Sequence, residues 1–277
     1  MYEKSGRLAV AGGELQFDSA GQGEPVVFLH GFSLDLRSWA PQFEALASSF
    51  RVIRYDLRGF GRSSLPPQEA YSHEDDLNTL LSHLGATPAH VVGLSMGGRM
   101  ALRFTSAYPQ SVRSLVLADS ALDGQGWTAD WQTRWTRMCS AAKTGDLAEA
   151  RRQWSEHPLF DSARAHLSPA SSALLATMIQ DYSGWHWHNK DLARVPSPPL
   201  AQRLGEICVP SLLITGADDI EDFQAAANLL GAGLPNVQRV VIPNAGHMSN
   251  LEAPEDFNAA LRTFWRDVSE HRAGLKR

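Results

Sequence analysis

Cysteine is scarce in this sequence of 277 residues, which contains only Cys139 and Cys208. The two stand far apart, and neither belongs to a C-x-x-C pair of the kind found in zinc and redox sites. No apolar run approaches the roughly 18 residues of a membrane-spanning helix. The first residues, MYEKSGRLAV, carry charges where a secretion signal has an apolar core. We therefore expect two free thiols, no metal site, no membrane association and a cytoplasmic location.

Basic residues are not in excess either. Lys and Arg total 25 against 30 Asp and Glu, which gives a formal net charge of -5. Nucleic acids and anionic membranes bind basic surfaces, so neither is an expected partner. Hydrophobic residues make up 43% and charged residues 20%, as in ordinary soluble folded proteins. A small molecule is the partner that remains, and the composition leaves the oligomeric state open.

Short apolar segments alternate with helix-like segments over most of the chain. Strand candidates lie at residues 25–32, 50–59, 90–95, 112–120, 209–216 and 237–247. This alternation predicts an α/β fold, with a mostly parallel, doubly wound sheet between helices. Strand signals are missing between residues 121 and 207, where helical spacing prevails. We therefore predict a core domain of residues 1–120 and 208–277, and an all-helical insertion of residues 121–207.

The stretch VVGLSMGG places Ser95 between two glycines, Gly93 and Gly97, where a strand candidate meets a helix candidate. This G-x-S-x-G pattern is typical of a strand-to-helix turn that exposes a nucleophilic serine. Small residues are needed there because the strand and helix backbones approach each other. The backbone N–H groups of Met96 and of Phe32, which ends an earlier strand, are candidates for an oxyanion hole. The alternative is a tight turn with a buried hydroxyl.

A serine nucleophile needs a base, and the base needs a carboxylate to orient it. His247 follows the last strand candidate and would emerge at the same sheet edge as Ser95; the alternative is an ordinary loop histidine. The segment ITGADDIEDF follows the preceding strand candidate and offers four carboxylates. These are Asp218, Asp219, Glu221 and Asp222. At most one of them is expected to be catalytic, since runs of carboxylates are usually solvated.

Four motifs together resemble the α/β-hydrolase superfamily, in its serine-nucleophile branch with a helical cap. They are HGF at residues 30–32, DLRGFGRS at 56–63, GLSMGG at 93–98 and GHMSNLEAPEDF at 246–257. The resemblance implies that residues 121–207 form the cap and that no cofactor is needed. It also implies that the acid lies three residues after Gly216, at Asp219. Some relatives carry the acid after the preceding strand, where this chain has Asp119.

The resemblance also limits the activities that we expect of this protein. Dehalogenases and epoxide hydrolases of the superfamily carry aspartate where this chain has Ser95, so neither activity is expected. We expect hydrolysis of a carboxylic ester or lactone of a small molecule through an acyl-enzyme. One alternative is a carbon–carbon bond hydrolase acting on a vinylogous diketone, with Arg134, Arg137 or Arg194 seating a carboxylate. Another is a ligand-sensing signalling module that keeps the triad.

The predicted insertion is rich in aromatic residues. Trp127, Trp131 and Trp135 recur at every fourth position, either to pack the insertion on the core or to roof an apolar pocket. His186 and His188 alternate as two metal ligands would, but no third ligand accompanies them, so packing or pocket lining is favoured. The pocket is expected to include Ser33, Trp185 and Met248. It should accept an apolar or aromatic acyl group.

Overall fold

The computed structural model describes residues 3–274, which form one eight-stranded sheet with flanking helices. Met1, Tyr2 and residues 275–277, which the predicted core domain includes, lie outside the described residues. The strands are β1 (Glu3–Val10), β2 (Gly13–Ala20), β3 (Pro25–Leu29), β4 (Arg51–Tyr55), β5 (Ala89–Leu94), β6 (Val112–Ala118), β7 (Ser211–Gly216) and β8 (Val237–Ile242). Their order in the sheet is β1-β2-β4-β3-β5-β6-β7-β8. The prediction of a mostly parallel α/β-hydrolase sheet is confirmed.

The six strands from β3 to β8 pair in parallel, and their carboxyl ends therefore share one edge of the sheet. They match the six strand candidates of the sequence, although five of the observed strands end before the candidate does, and β7 ends with its candidate at Gly216. The trimmed residues belong to the loops that follow the strands. In this way the loops after β3, β5, β6, β7 and β8 come together at one edge.

The first two strands were not predicted. β1 and β2 form an antiparallel hairpin whose turn contains Gly12 at φ 72°, and β2 pairs antiparallel with β4. β1 lies at the edge of the sheet, and four of its side chains, Lys4, Ser5, Arg7 and Ala9, are exposed. Because so little of β1 is apolar and buried, its sequence carries only a weak strand signal.

Helices separate the core strands and cover the sheet. They are α1 (Ala40–Leu46), α2 (His73–His83), α3 (Met96–Ala107), α9 (Glu221–Gly233), α10 (Ser249–Glu252) and α11 (Pro254–Gly274). The five longer helices each present an apolar face to the core, whereas Leu251 is the one buried apolar side chain of α10. In α11 the five residues of that face, Phe257, Leu261, Phe264, Trp265 and Val268, are all buried.

Helices also fill the segment between β6 and β7. They are α4 (Ala129–Lys143), α5 (Leu147–Ser155), α6 (Asp161–His166), α7 (Pro169–Asp181) and α8 (Trp185–His188). Asp222, in the first turn of α9, accepts hydrogen bonds from the backbone N–H of Thr128 at 2.7 Å and from its hydroxyl at 2.9 Å. Thr128 is the N-cap of α4, so this contact fixes the start of α4 against the sheet domain. None of the helices within residues 3–274 combines the length and the apolar character needed to cross a membrane.

The loops after β3 and β4 are braced by buried polar groups. Asp56 accepts hydrogen bonds from the backbone N–H groups of Leu36 and Arg62, each at 2.8 Å. Arg58 forms a buried two-bond ion pair with Asp76, at 2.9 and 2.8 Å. Asp56 and Arg58 of the DLRGFGRS motif therefore stabilise these loops.

His30 joins these loops through both nitrogens of its ring. Nδ1 donates to the carbonyl of Gly31 at 2.8 Å, and Nε2 accepts from the backbone N–H of Leu57 at 3.0 Å. This pattern requires a neutral imidazole, since Nε2 must keep its lone pair. Burial lowers the pKa of His30 to about 4, which the hydrogen bond to Gly31 offsets only in part.

We predict that His30 makes the fold sensitive to acid. The unfolded chain binds the His30 proton near pH 6.5 and the folded chain only near 4, so stability falls as the pH drops between these values. Replacing His30 by Gln should remove about 2 to 3 kcal/mol from the stability difference between pH 7 and pH 4.5. Urea unfolding at both pH values measures that difference. His83→Gln, at an exposed histidine, should follow the wild type; a His30→Gln profile parallel to the wild type would contradict the assignment.

Candidate active site

Ser95 occupies a strained turn between β5 and α3. Its backbone has φ 56° and ψ -116°, a region that residues with a side chain seldom adopt. Two hydrogen bonds hold it there. Its N–H donates to the carbonyl of Ala118, the last residue of β6, at 2.9 Å, and its carbonyl accepts from the N–H of Ala121, in the loop after β6, at 3.1 Å. α3 begins at the next residue, so its N-terminal N–H groups and positive dipole end lie beside Ser95.

The two glycines of the motif are required by close backbone approaches. A Cβ atom on Gly93 would overlap the carbonyl oxygen of Gly97, and one on Gly97 would overlap the carbonyl oxygen of Leu29. The turn therefore brings the start of α3 directly against β5 and the end of β3. Gly31, in the loop after β3, lies beside the side chain of Ser95 for the same reason.

His247 and Asp219 form a buried pair at the same edge of the sheet. Nδ1 of His247 lies 2.9 Å from Oδ2 of Asp219, and their side chains are 3% and 2% exposed. The other Asp219 oxygen accepts from the backbone N–H of Ile220 at 2.8 Å. Because a carboxylate only accepts, Nδ1 carries the proton in a neutral ring and Nε2 keeps a lone pair. Nε2 is buried and has no hydrogen-bond partner among residues 3–274.

The other acid candidates have different partners. Asp119 is fully buried and accepts from the backbone N–H of Gly216 at 2.8 Å and from the Ser249 hydroxyl. Burial, with the charge of Asp219 next, raises the pKa of Asp119 well above its usual range. Asp222 holds Thr128, as described above, and Asp218 is exposed. Of the candidate carboxylates, Asp219 is the one in contact with His247.

Phe32 and Met96 directly follow Gly31 and Ser95, which lie beside each other. Met96 is the first residue of α3, and Phe32 follows Gly31 in the loop that His30 braces. The ring of Phe32 makes edge contacts with six other rings, at centroid distances from 5.3 to 6.2 Å. These belong to Phe60, Trp135, Trp154, Tyr182, His186 and Trp187. Five of the six come from the α4–α8 segment, so this segment packs directly on the loop that carries Phe32.

A cavity of about 640 Å³ contains Ser95 and His247 in its wall. Much of the remaining wall is apolar and aromatic. It consists of Phe32, Met96, Trp127, Trp131, Trp135, Trp154, Leu159, Phe160, Phe223 and Met248. A second part is polar and comprises His73, Arg99, Arg103, His186, Asn189 and Asp191. The cavity therefore combines an aromatic wall with a polar end.

The three predicted pocket residues have different environments. Met248 lines the cavity, whereas Ser33 and Trp185 are absent from the cavity wall formed by the described part of the chain. The Ser33 hydroxyl instead accepts a hydrogen bond from the Trp154 indole at 2.6 Å, which places it behind the wall. Trp185 packs against His186, with ring centroids 4.8 Å apart. Ser33 and Trp185 therefore contact residues that line the cavity, Trp154 and His186, without lining it themselves.

The stripe of Trp127, Trp131 and Trp135 lines the cavity and also packs on the core. Trp127 stacks on Trp131 at 4.5 Å, and both rings contact Phe223 at 5.7 Å. Phe223 in turn lies 4.1 Å from the ring of His247. The two alternatives considered for this stripe are therefore compatible.

The paired histidines of the WHWH segment have separate surroundings. His186 stacks on Phe60 at 4.6 Å, and its Nδ1 lies 2.9 Å from the hydroxyl of Tyr182. Burial lowers the pKa of His186 to about 4. His188 is exposed. Within residues 3–274, no group of three or more His, Cys, Asp or Glu side chains is placed to hold a metal ion.

The arginines proposed to seat a carboxylate lie elsewhere. Arg134 pairs with Asp130 on the exposed face of α4, Arg137 is exposed, and Arg194 is 67% exposed. The arginines that line the cavity are Arg99 and Arg103, which sequence analysis missed. Their spacing from Ser95 could have identified them, because residues four and eight positions further along a helix lie on the same face.

Comparison with known proteins agrees with this architecture. The family model described as the alpha/beta hydrolase fold matches residues 24–254. The chain is 32% identical over 238 residues to "Putative carbamate hydrolase RutD" of Caulobacter sp. (strain K31), covering 82% of this chain and 84% of that protein. It is 30% identical over 272 residues to the 2-hydroxy-6-oxononadienedioate/2-hydroxy-6-oxononatrienedioate hydrolase of Paraburkholderia xenovorans (strain LB400), covering 93% of each.

A solved structure of another hydrolase is also similar to this protein. A malate-bound thermophilic esterase from Thermogutta terrifontis aligns with a TM-score of 0.76 at 29% identity, over 96% of this chain and 99% of that one. The motifs quoted from the sequence fall within the matched residues, apart from the last few residues of the fourth. The chain belongs to the alpha/beta hydrolase family and is a hydrolase.

Proposed function

We propose that the protein hydrolyses a carboxylic ester or lactone of a small molecule, with Ser95 as nucleophile, His247 as base and Asp219 as orienting acid. One observation carries the proposal: His247, which pairs with the buried Asp219, lines the same cavity as a serine held at a strained strand-to-helix turn. The Nε2 atom of His247 has no hydrogen-bond partner among residues 3–274 and is available as a base. A serine hydroxyl needs such a base to become nucleophilic, and the base needs a fixed tautomer.

The reaction uses only groups of this chain. Nε2 of His247 takes the proton of the Ser95 hydroxyl as its oxygen attacks the ester carbonyl. The backbone N–H groups of Met96 and Phe32 donate to the developing oxyanion, helped by the dipole of α3. His247 then protonates the leaving alcohol. In the second half of the reaction it takes a proton from the water that attacks the acyl group, and it returns this proton to the Ser95 oxygen as the acid leaves. Asp219 stabilises the imidazolium in both steps.

The helical segment of residues 121–207 acts as a cap in this proposal, and residues 1–120 and 208–277 act as the core domain. Support comes from the cavity wall, where tryptophans of the segment face Ser95 and His247. An aromatic wall recognises an apolar or aromatic acyl group, because burying such a group removes its apolar surface from water. The substrate is accordingly a small molecule with an apolar part.

A second candidate is a carbon–carbon bond hydrolase, which resembles the esterases of the superfamily in using the same triad. The relative from Paraburkholderia xenovorans is named for a dienedioate substrate, which carries two carboxylates. The observation that favours this candidate is Arg99, whose side chain reaches the cavity one helical turn after Ser95 and is 31% exposed. Guanidinium groups bind carboxylates well.

Covalent labelling tests whether Ser95 is the nucleophile. A fluorophosphonate probe should add once to the wild type and not to Ser95→Ala, as measured by intact mass. The same wild-type sample should turn over p-nitrophenyl esters of short acids steadily. Ser120→Ala, which changes a buried serine near the turn, is the matched control and should still react with the probe. An unlabelled but folded wild type would refute the proposal and favour a ligand-sensing module.

The choice of acid can be tested with two isosteric changes. Asp219→Asn should lower kcat about 10³- to 10⁴-fold, because the amide no longer holds His247 in the required tautomer. Asp218→Asn, at the exposed neighbour, should leave kcat unchanged. Asp119→Asn should affect stability more than kcat, since Asp119 bonds Gly216 and Ser249. An active Asp219→Asn enzyme beside an inactive Asp119→Asn enzyme would move the acid to Asp119.

Ester and carbon–carbon hydrolysis can be separated by substrate preference. The first candidate predicts a higher kcat/KM for neutral aryl esters than for a 2-hydroxy-6-oxodienoate, and the second predicts the reverse. If the dienoate is preferred, Arg99→Gln should lower its kcat/KM about 10- to 100-fold, as expected for loss of a charged hydrogen bond. Neutral esters on the same variant provide the control. Equal losses for both substrates would mean that Arg99 does not recognise the carboxylate.

A further inference from the structure

The polar end of the cavity contains two atoms that the protein leaves without partners. Arg103 is satisfied by two hydrogen bonds to Asp123, at 2.5 and 2.6 Å. Asp191 accepts from the hydroxyl of Tyr71 at 2.9 Å and from the backbone N–H of Ala193 at 3.0 Å. Nδ1 of His73 and Nε of Arg99, by contrast, are buried and lack a hydrogen-bond partner within residues 3–274.

The contacts of Tyr71 determine which His73 nitrogen carries the proton. The Tyr71 hydroxyl donates its only proton to the Asp191 carboxylate, which cannot donate in return. The Tyr71 oxygen also lies 3.3 Å from Nε2 of His73, so Nε2 must be the donor in that contact. Burial, followed by the charges of neighbouring His and Arg groups, lowers the pKa of His73 to about 3 and keeps the ring neutral. Nδ1 is therefore a hydrogen-bond acceptor.

Arg99 supplies the complementary donor. The nearest carboxylate oxygen, in Asp123, lies 3.9 Å from its Nε and is already bonded to Arg103. Burial and the charge of Arg103 lower the pKa of Arg99, which means that its cation is incompletely compensated. A buried donor and a buried acceptor without partners each cost free energy that a bound ligand recovers.

We propose that His73 Nδ1 and Arg99 Nε form a subsite for a hydroxyl group beside a carboxylate or carbonyl oxygen. The hydroxyl donates to His73, and the neighbouring oxygen accepts from Arg99. The role of this subsite in substrate recognition rests on the proposed function, since Ser95 and the aromatic wall belong to the same cavity. The substrate is then a bifunctional molecule, with an apolar part against the tryptophans and a hydroxy acid or hydroxy ketone at the polar end.

Isothermal titration calorimetry with three related carboxylates tests the subsite without requiring turnover. Mandelate carries the hydroxyl, 2-methoxy-2-phenylacetate blocks its proton, and phenylacetate lacks the oxygen. The wild type should bind mandelate about five- to tenfold more tightly than the other two, as for one buried hydrogen bond. His73→Phe should abolish this preference, whereas His73→Asn should retain it through its amide oxygen. Arg99→Gln should weaken all three ligands by a similar factor.

His83→Phe makes the same exchange at an exposed position of α2 and should bind as the wild type does. The proposal is overturned if folded wild type fails to bind mandelate, if it binds all three ligands equally, or if the preference survives His73→Phe. Failure of the proposed function gives a different pattern. A serine that reacts with no probe, beside an intact mandelate preference, refutes the hydrolase mechanism and leaves the subsite standing.

Discussion

The positive φ angle of Ser95 is the constraint from which the geometry of the site follows. A residue with a side chain adopts this conformation only when its surroundings enforce it. Here two backbone hydrogen bonds, one to the end of β6 and one to the loop after it, hold the residue in place, and glycines let α3 approach β3 and β5. The same packing brings Gly31 and Phe32 next to Ser95. The turn thus places a hydroxyl, a helix N-terminus and a braced loop around one point.

Both burial and ion pairing determine which side chains around the cavity carry a charge. Asp123 forms a close ion pair with Arg103 and lies 3.9 Å from the Nε of Arg99, which has no hydrogen-bond partner among residues 3–274. Burial keeps His30, His73 and His186 neutral, so each presents one donor and one acceptor nitrogen. Local hydrogen bonds fix the tautomers of His30 and His73. The cavity therefore has a directional pattern of donors and acceptors in addition to its aromatic surface.

Much of this arrangement could be predicted from the sequence, because the signals are local. The core strands are continuous apolar runs, and Ser95 stands between glycines at a strand-to-helix junction. His247 and Asp219 follow strands whose carboxyl ends share an edge of the sheet. The choice of Asp219 over Asp119 depended on family resemblance, since both follow strands at that edge. Only the three-dimensional contact with His247 distinguishes them.

Other features depend on long-range packing and could not be predicted. β1 lies at the edge of the sheet with four exposed side chains, so its strand signal is weak. Ser33 was expected in the pocket, but the Trp154 indole from α5 covers it. Arg99 was overlooked and Arg134 preferred because an arginine's environment depends on which segment packs above it. The sequence does not encode that placement in any short pattern.

The first turn of α9 restricts how this protein can change its specificity. Asp222 holds the start of α4, and Phe223 contacts Trp127 and Trp131 on one side and His247 on the other. A substitution that enlarges the cavity at residue 223 also removes packing from the imidazole. Pocket size and base position are therefore coupled at these two adjacent residues.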